Sequence, residues 1–176
     1  MTIRESADAL LAQTGLMDVL AGFGKAEIVG SYVMDLMAWN DLDVYVALDG
    51  DFYAMAAAAM QAVKPVRFDG FYDVQTGNRF IGMETMAAGE RWNIDIWIRE
   101  PGEIAEALER NYAMKARLEA CPEAREAVVR IKRELIGRGM YGLDKGKRHY
   151  HSPEIYEAVL QRGVRTVEAL MEMYPV

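Results

Sequence analysis

Two segments of this chain repeat one pattern, and the pattern limits what the chain can become. In DLDVYVAL, residues 41–48, the aliphatic residues Leu42, Val44, Val46 and Leu48 alternate with Asp41, Asp43 and Tyr45. In WNIDIWI, residues 92–98, Ile94, Ile96 and Ile98 alternate with Asn93, Asp95 and Trp97. A period of two is the signature of a β-strand, whose side chains point to opposite faces in turn. Each segment therefore has one face made for a core and one polar face left open. Aspartates stand on the open face of both.

The remaining elements follow from periodicity and turn residues. Residues 5–21 read as one or two helices, with Leu10, Met17 and Leu20 on one stripe. Residues 26–30 read as a strand. Residues 51–63 read as an Ala-rich helix behind an acidic start. Strands are expected at 66–74, 79–87 and 91–98, with QTGN and AAGE as the turns between them. From Pro101 the pattern is helical: 102–119, then a helix opened by Pro122 at its first position, with Val128, Ile131 and Leu135 on one face. A last helix is expected from Ser152 through Leu170. Strands precede helices, so the fold class is α+β: a mixed sheet with flanking helices over residues 1–100, then a helical domain over 101–176.

Bulk properties narrow the function. A net charge of −7 argues against broad nucleic-acid binding, which needs a basic footprint, so no nucleic-acid partner is expected. A single cysteine, Cys121, excludes an intrachain disulfide. The opening MTIRESADALLAQTG mixes charges and reads as no signal peptide. No stretch approaches the roughly 18 apolar residues of a membrane span. A cytoplasmic protein without a membrane partner is the expectation.

The aspartates carry the chemistry. If the two strands are neighbours, facing residues have Cβ atoms about 4.5–5.5 Å apart. Asp41, Asp43 and Asp95 would then converge, and each would raise the pKa of the others. A cation should offset this. Mg²⁺ takes carboxylates, phosphates and water as ligands, and two such ions can hold the attacking and leaving oxygens of a phosphoryl displacement. Asp41 and Asp43 are candidate metal ligands, and Asp95 a third ligand or the base toward an attacking hydroxyl. An isolated Asp-x-Asp is more often solvated surface. Gly30-Ser31 just upstream, a third Asp on a second strand and the shared alternation set this pair apart.

Gly30-Ser31, a gap, Asp41-Leu42-Asp43 and a later strand Asp95 resemble the nucleotidyltransferase fold of the DNA polymerase β superfamily, over residues 26–98. Its small members include aminoglycoside and lincosamide nucleotidyltransferases and minimal-nucleotidyltransferase antitoxins. The resemblance implies that Gly30 and Ser31 hold the phosphates of an NTP. It implies that Asp41, Asp43 and Asp95 bind Mg²⁺, with two ions expected, or act on the acceptor. The implied reaction moves an NMP unit to a hydroxyl of a small-molecule acceptor, an antibiotic among the options, or of a protein, and releases pyrophosphate. The alternative is a non-catalytic nucleotide-binding or antitoxin-like module that works through a protein partner.

No basic residue stands between Ser31 and Asp41. The cation for a triphosphate is therefore sought in DKGKRHYHS, residues 144–152, where Lys147 and Arg148 are candidate nucleotide-binding residues. A solvated charged loop is the blander reading. His149 and His151, with no third ligand, are a weak zinc signal. Trp39 and Tyr45 are suited to stacking on a nucleobase and equally to packing a core. The acceptor, the base of the NTP and pairing with a second copy or another protein stay open.

Overall fold

The computed structural model describes residues 2–72, 79–142 and 149–175. The chain forms two compact units, Met1–Met114 and Lys115–Val176. The QTGN turn expected at 75–78 lies outside the described residues.

The first unit is built on a five-stranded mixed sheet of order β1-β2-β5-β4-β3. Its strands are β1 (Gly24–Val29), β2 (Asp41–Leu48), β3 (Arg67–Tyr72), β4 (Arg79–Ala87) and β5 (Glu90–Ile98). β2 and β5 are parallel neighbours, and every other pairing is antiparallel. The parallel pair needs a long crossover. Helix α3 (Phe52–Val63), β3 and β4 lie along it in sequence.

Alternation sorts the faces as the sequence demands. Leu42, Val44, Val46, Ile94 and Ile96 are fully buried, while Asp41, Asp43, Asn93 and Asp95 between them are only half-buried. Helices α1 (Ile3–Thr14), α2 (Leu16–Ala21) and α3 cover the aliphatic face through Leu10, Leu16, Leu20, Met55 and Ala59. These residues and the strand aliphatics form one core, and burying each such side chain contributes about 1.5–3 kcal/mol. Gly15, left-handed at φ 60°, separates α1 from α2, which resolves the open choice between one helix and two. Asp51 caps α3 by accepting from the Ala54 N–H at 2.7 Å. Thr85 is the buried polar residue of the core face, and its hydroxyl donates to the Val63 carbonyl at 3.2 Å.

Helix α4 (Pro101–Glu119) begins in the first unit. The second unit contains α5 (Pro122–Gly137), α6 (Ser152–Arg162) and α7 (Val167–Met173). Val128, Ile131, Leu135, Ile155, Val159, Val167 and Leu170 are buried there. The single last helix expected from Ser152 through Leu170 is two helices. Gly163 ends α6 in the left-handed region at φ 71°, and Thr166 starts α7 by accepting from the Ala169 N–H. No helix among the described residues is long and apolar enough to cross a membrane.

Candidate active site

The parallel register sets Asp43 opposite Asp95 and Asp41 opposite Asn93. Strand spacing of about 4.8 Å makes these four side chains neighbours on the open face. The Asn93 amide stands among the carboxylates. Its Nδ2 donates to Asp41 Oδ1 at 2.8 Å and to Asp95 Oδ1 at 3.2 Å. Burial is the main force raising the Asp95 pKa to about 6; the Asp41 charge raises it further, and the Asn93 hydrogen bond opposes both.

On the other flank of Asp95, β4 brings Gly82 into register. A Cβ at Gly82 would stand 3.0 Å from the Phe80 ring and 3.6 Å from Asp95 Oδ1. A cavity of about 240 Å³ opens there, with Arg67, Phe80, Glu84, Asn93 and Asp95 in its wall. Further along the same face, Tyr45 and Trp97 follow the aspartates. The Arg99 guanidinium lies 4.9 Å from the Trp97 ring centre and 5.6 Å from that of Tyr45.

The Gly30-Ser31 turn meets Asp43 from the end of β1. Gly30 is left-handed at φ 71°, and a Cβ there would lie 2.8 Å from Asp43 Oδ2. Both facts require glycine. The Gly30 N–H donates to Asn111 Oδ1 of α4 at 2.7 Å. The chain then folds into a tight turn, with Met34 N–H bonded to the Gly30 carbonyl and Leu36 N–H to that of Ser31. Arg4 of α1 braces this turn: it donates to the Tyr32 carbonyl and lies 3.5 Å over the Tyr32 ring, while the Tyr32 hydroxyl donates to Asp8 at 2.7 Å.

The sheet thus brings Gly30, Asp41, Asp43 and Asp95 to one region, and the turn places Ser31 directly after Gly30. Lys147 and Arg148 fall outside the described residues. His151 opens α6, its N–H bonded to Glu154 at 3.1 Å, and His149 is buried in the second unit. Asn111, Arg4 and Arg99 were not singled out from sequence, and Asn93 was placed on the open face without a role. Parity along β5 (93, 95, 97) places Asn93 on the aspartate face, and Arg99, one residue past the strand, continues it. No local signal marks Asn111, 81 residues from its partner.

Among the described residues, no three Asp, Glu, His or Cys side chains form a ready-made metal cage. The donor set nevertheless suits Mg²⁺. It is all oxygen, and Mg²⁺ uses one or two carboxylates and completes its shell with water and substrate phosphates. Burial and then the Asp41 charge raise the Asp95 pKa, and a cation at the site would oppose both.

No protein-family model matches the sequence, and no curated protein does. Solved structures do. A Cid1 poly(U) polymerase mutant bound to MgATP aligns with TM-score 0.64 at 14% identity, over 92% of this chain and 50% of that one. The non-canonical poly(A) polymerase complex GLD-2–GLD-3 aligns with TM-score 0.62 at 14% identity, over 99% of this chain and 59% of that one. Terminal uridylyl transferase 4 from Trypanosoma brucei aligns with TM-score 0.59 at 16% identity, over 88% and 53%. The chain spans about half the length of these proteins. It shares the fold of these nucleotidyl-transferring enzymes.

These neighbours correct one expectation. The net charge argued against broad nucleic-acid binding and no nucleic-acid partner was expected, yet the proteins that share the fold include an RNA terminal U-transferase and the polymerase core of an RNA surveillance complex. Net charge is a sum over the whole chain. It does not describe a local face, and here Arg67, Arg91 and Arg99 lie at or beside the open face of an acidic protein.

Proposed function

From this fold and the paired aspartates, we propose that the protein transfers an NMP unit from a Mg²⁺-bound NTP to the terminal hydroxyl of an RNA. The observation that carries this reading is the pairing of Asp43 with Asp95 across β2 and β5, with the Gly30 turn against the Asp43 carboxylate. Asp41 and Asp43 hold the metal, which supplies charge neutralisation at the phosphoryl oxygens. Gly30 and Ser31 approach the β and γ phosphates, since glycine lets the backbone come close. Asp95, with its pKa near 6, is half or more ionised near neutral pH and suited to accept a proton. The acceptor oxygen bonds to the α-phosphorus, the bond from that phosphorus to the bridging oxygen breaks, and the hydroxyl proton passes to Asp95. Pyrophosphate leaves.

RNA is chosen as acceptor over a small molecule or protein because the fold neighbours include RNA terminal transferases. Arg99 adds positive charge on the site's face.

The test is pyrophosphate release from each of the four NTPs with Mg²⁺ and a single-stranded RNA, in wild type and Asp43→Ala. A direct metal ligand should cost at least the roughly 100-fold at the upper end of outer-shell losses. Turnover in Asp43→Ala at the wild-type rate would overturn the mechanism.

A further inference from the structure

We propose that a second cavity, beside Trp39, holds the nucleotides behind the 3′ end of a single-stranded RNA acceptor. The proposal rests on the nucleotidyl-transfer reading and gives its acceptor a track. The cavity has a volume of about 580 Å³, with Trp39, Asn40, Glu84, Glu90, Arg91 and Asn93 in its wall. Glu84 and Asn93 also line the smaller cavity over Asp95, so the two share a wall on one face.

Strand parity sets the order of groups along this face. Arg91, Asn93 and Asp95 are alternate residues of β5, so Arg91 lies about 13 Å from Asp95 along the strand. A polymeric acceptor whose terminal hydroxyl sits at Asp95 can run along the strand toward Arg91.

The chemistry of the second cavity fits that polymer. Trp39 is 39% exposed, and a free indole face is a platform for a nucleobase of any kind. Its neighbour Asn40 is fixed: Nδ2 donates to Glu90 at 3.0 Å and to the Arg91 carbonyl at 3.2 Å, and its own carbonyl accepts from the Asn93 N–H at 2.9 Å. The loop bearing the indole is thereby tied to the strand that bears Asp95. Two guanidiniums flank the shared wall. Arg67 and Arg91 both pair with the Glu84 carboxylate, at 3.2 and 3.1 Å, and both remain mostly exposed. The Glu84 carboxylate holds both side chains in place, and with Glu90 in the same wall the two guanidiniums leave no net positive charge. Their unused N–H donors suit phosphate oxygens.

The test is anisotropy of a labelled single-stranded oligoribonucleotide over a salt series, for wild type, Trp39→Ala, Trp39→Phe and Arg91→Ala. Thermal shift with Mg²⁺-NTP is read on the same samples. Loss of one stacked base should weaken RNA binding by roughly 5- to 150-fold in Trp39→Ala, and Trp39→Phe should recover most of it. Arg91→Ala should reduce the slope of log affinity against log salt by about 0.7. The Mg²⁺-NTP shift should persist in all three variants. Equal RNA affinity in all four proteins would overturn the track and leave the transfer reading intact. A wild type that responds to Mg²⁺-NTP and binds no RNA would overturn the track and the choice of RNA as acceptor, and leave the nucleotide site standing. A wild type that responds to neither would overturn both.

Discussion

Asp43 and Asp95 are direct partners across the parallel β2–β5 ladder, brought together from positions 52 residues apart in sequence. Each sits between buried aliphatic neighbours on its own strand, so neither can turn away without exposing the core. The core thereby fixes the geometry of the charged face. Burial first, and then the charge of Asp41 on the adjacent strand, raise the Asp95 pKa to about 6, and like charges so placed cost stability. A fold that keeps such a pair gains when a cation arrives.

Gly30→Ala tests how closely the Gly30 turn and the aspartate face are joined. The left-handed backbone alone should cost about 1–2 kcal/mol in an alanine. The new methyl would also press on Asp43 Oδ2, 2.8 Å away. Thermal denaturation should show the first effect. A more than tenfold loss of NTP-dependent turnover should show the second. Full turnover in a destabilised variant would mean that the Asp43 carboxylate has room to move.

Asp95→Asn should change how stability depends on pH. The folded pKa of about 6 lies above the reference 3.8, so the native state holds this proton more tightly than the unfolded chain. The contribution of Asp95 therefore falls as pH rises from about 3.8 to about 6, and it is flat above that. The shift corresponds to about 2 kcal/mol after allowance for solvent screening. Chemical denaturation across pH 4–8 should find the variant more stable than wild type by about that amount at pH 7, with this part of the slope gone. Turnover should be lost, because the amide cannot take the proton.

The strands, their faces and the candidate aspartates were legible because period-two alternation is a local property of DLDVYVAL and WNIDIWI. That β2 and β5 are neighbours was a conditional step, since pairing depends on the whole chain. The break at Gly163 was written in RGVRT, a glycine followed by a capping threonine. The apolar stripe continuing to Leu170 outweighed it. Asn111 had no signal, because its role exists only where α4 meets the Gly30 turn. The nucleic-acid expectation failed for a different reason: a sum of charges was used where a distribution was needed.

Asn93→Ala removes the donor shared by Asp41 and Asp95. That hydrogen bond lowers the Asp95 pKa, so its loss should move the carboxyl above its present value of about 6. Carboxyl-carbon NMR titration reads this directly. The acid limb of the pH–rate profile should move to higher pH in the same direction. An Asp95 that titrates at or below its wild-type value would show that the amide does not stabilise the ionised form.

Asn111→Ala separates two roles of the Gly30 N–H. In the structure this donor is satisfied by Asn111 Oδ1 at 2.7 Å. If the same N–H meets a phosphate oxygen during the reaction, Asn111 competes with the nucleotide for it. Removing the side chain should then lower stability by about 0.5–1.5 kcal/mol, the worth of one hydrogen bond. Mg²⁺-NTP affinity should hold or rise, because the donor no longer has to exchange partners. Calorimetric titration with Mg²⁺-NTP, alongside denaturation of the free protein, gives both numbers. A variant with near-normal stability and sharply weaker nucleotide binding would reverse the assignment: Asn111 would then be a nucleotide contact in its own right, and the Gly30 N–H its resting partner.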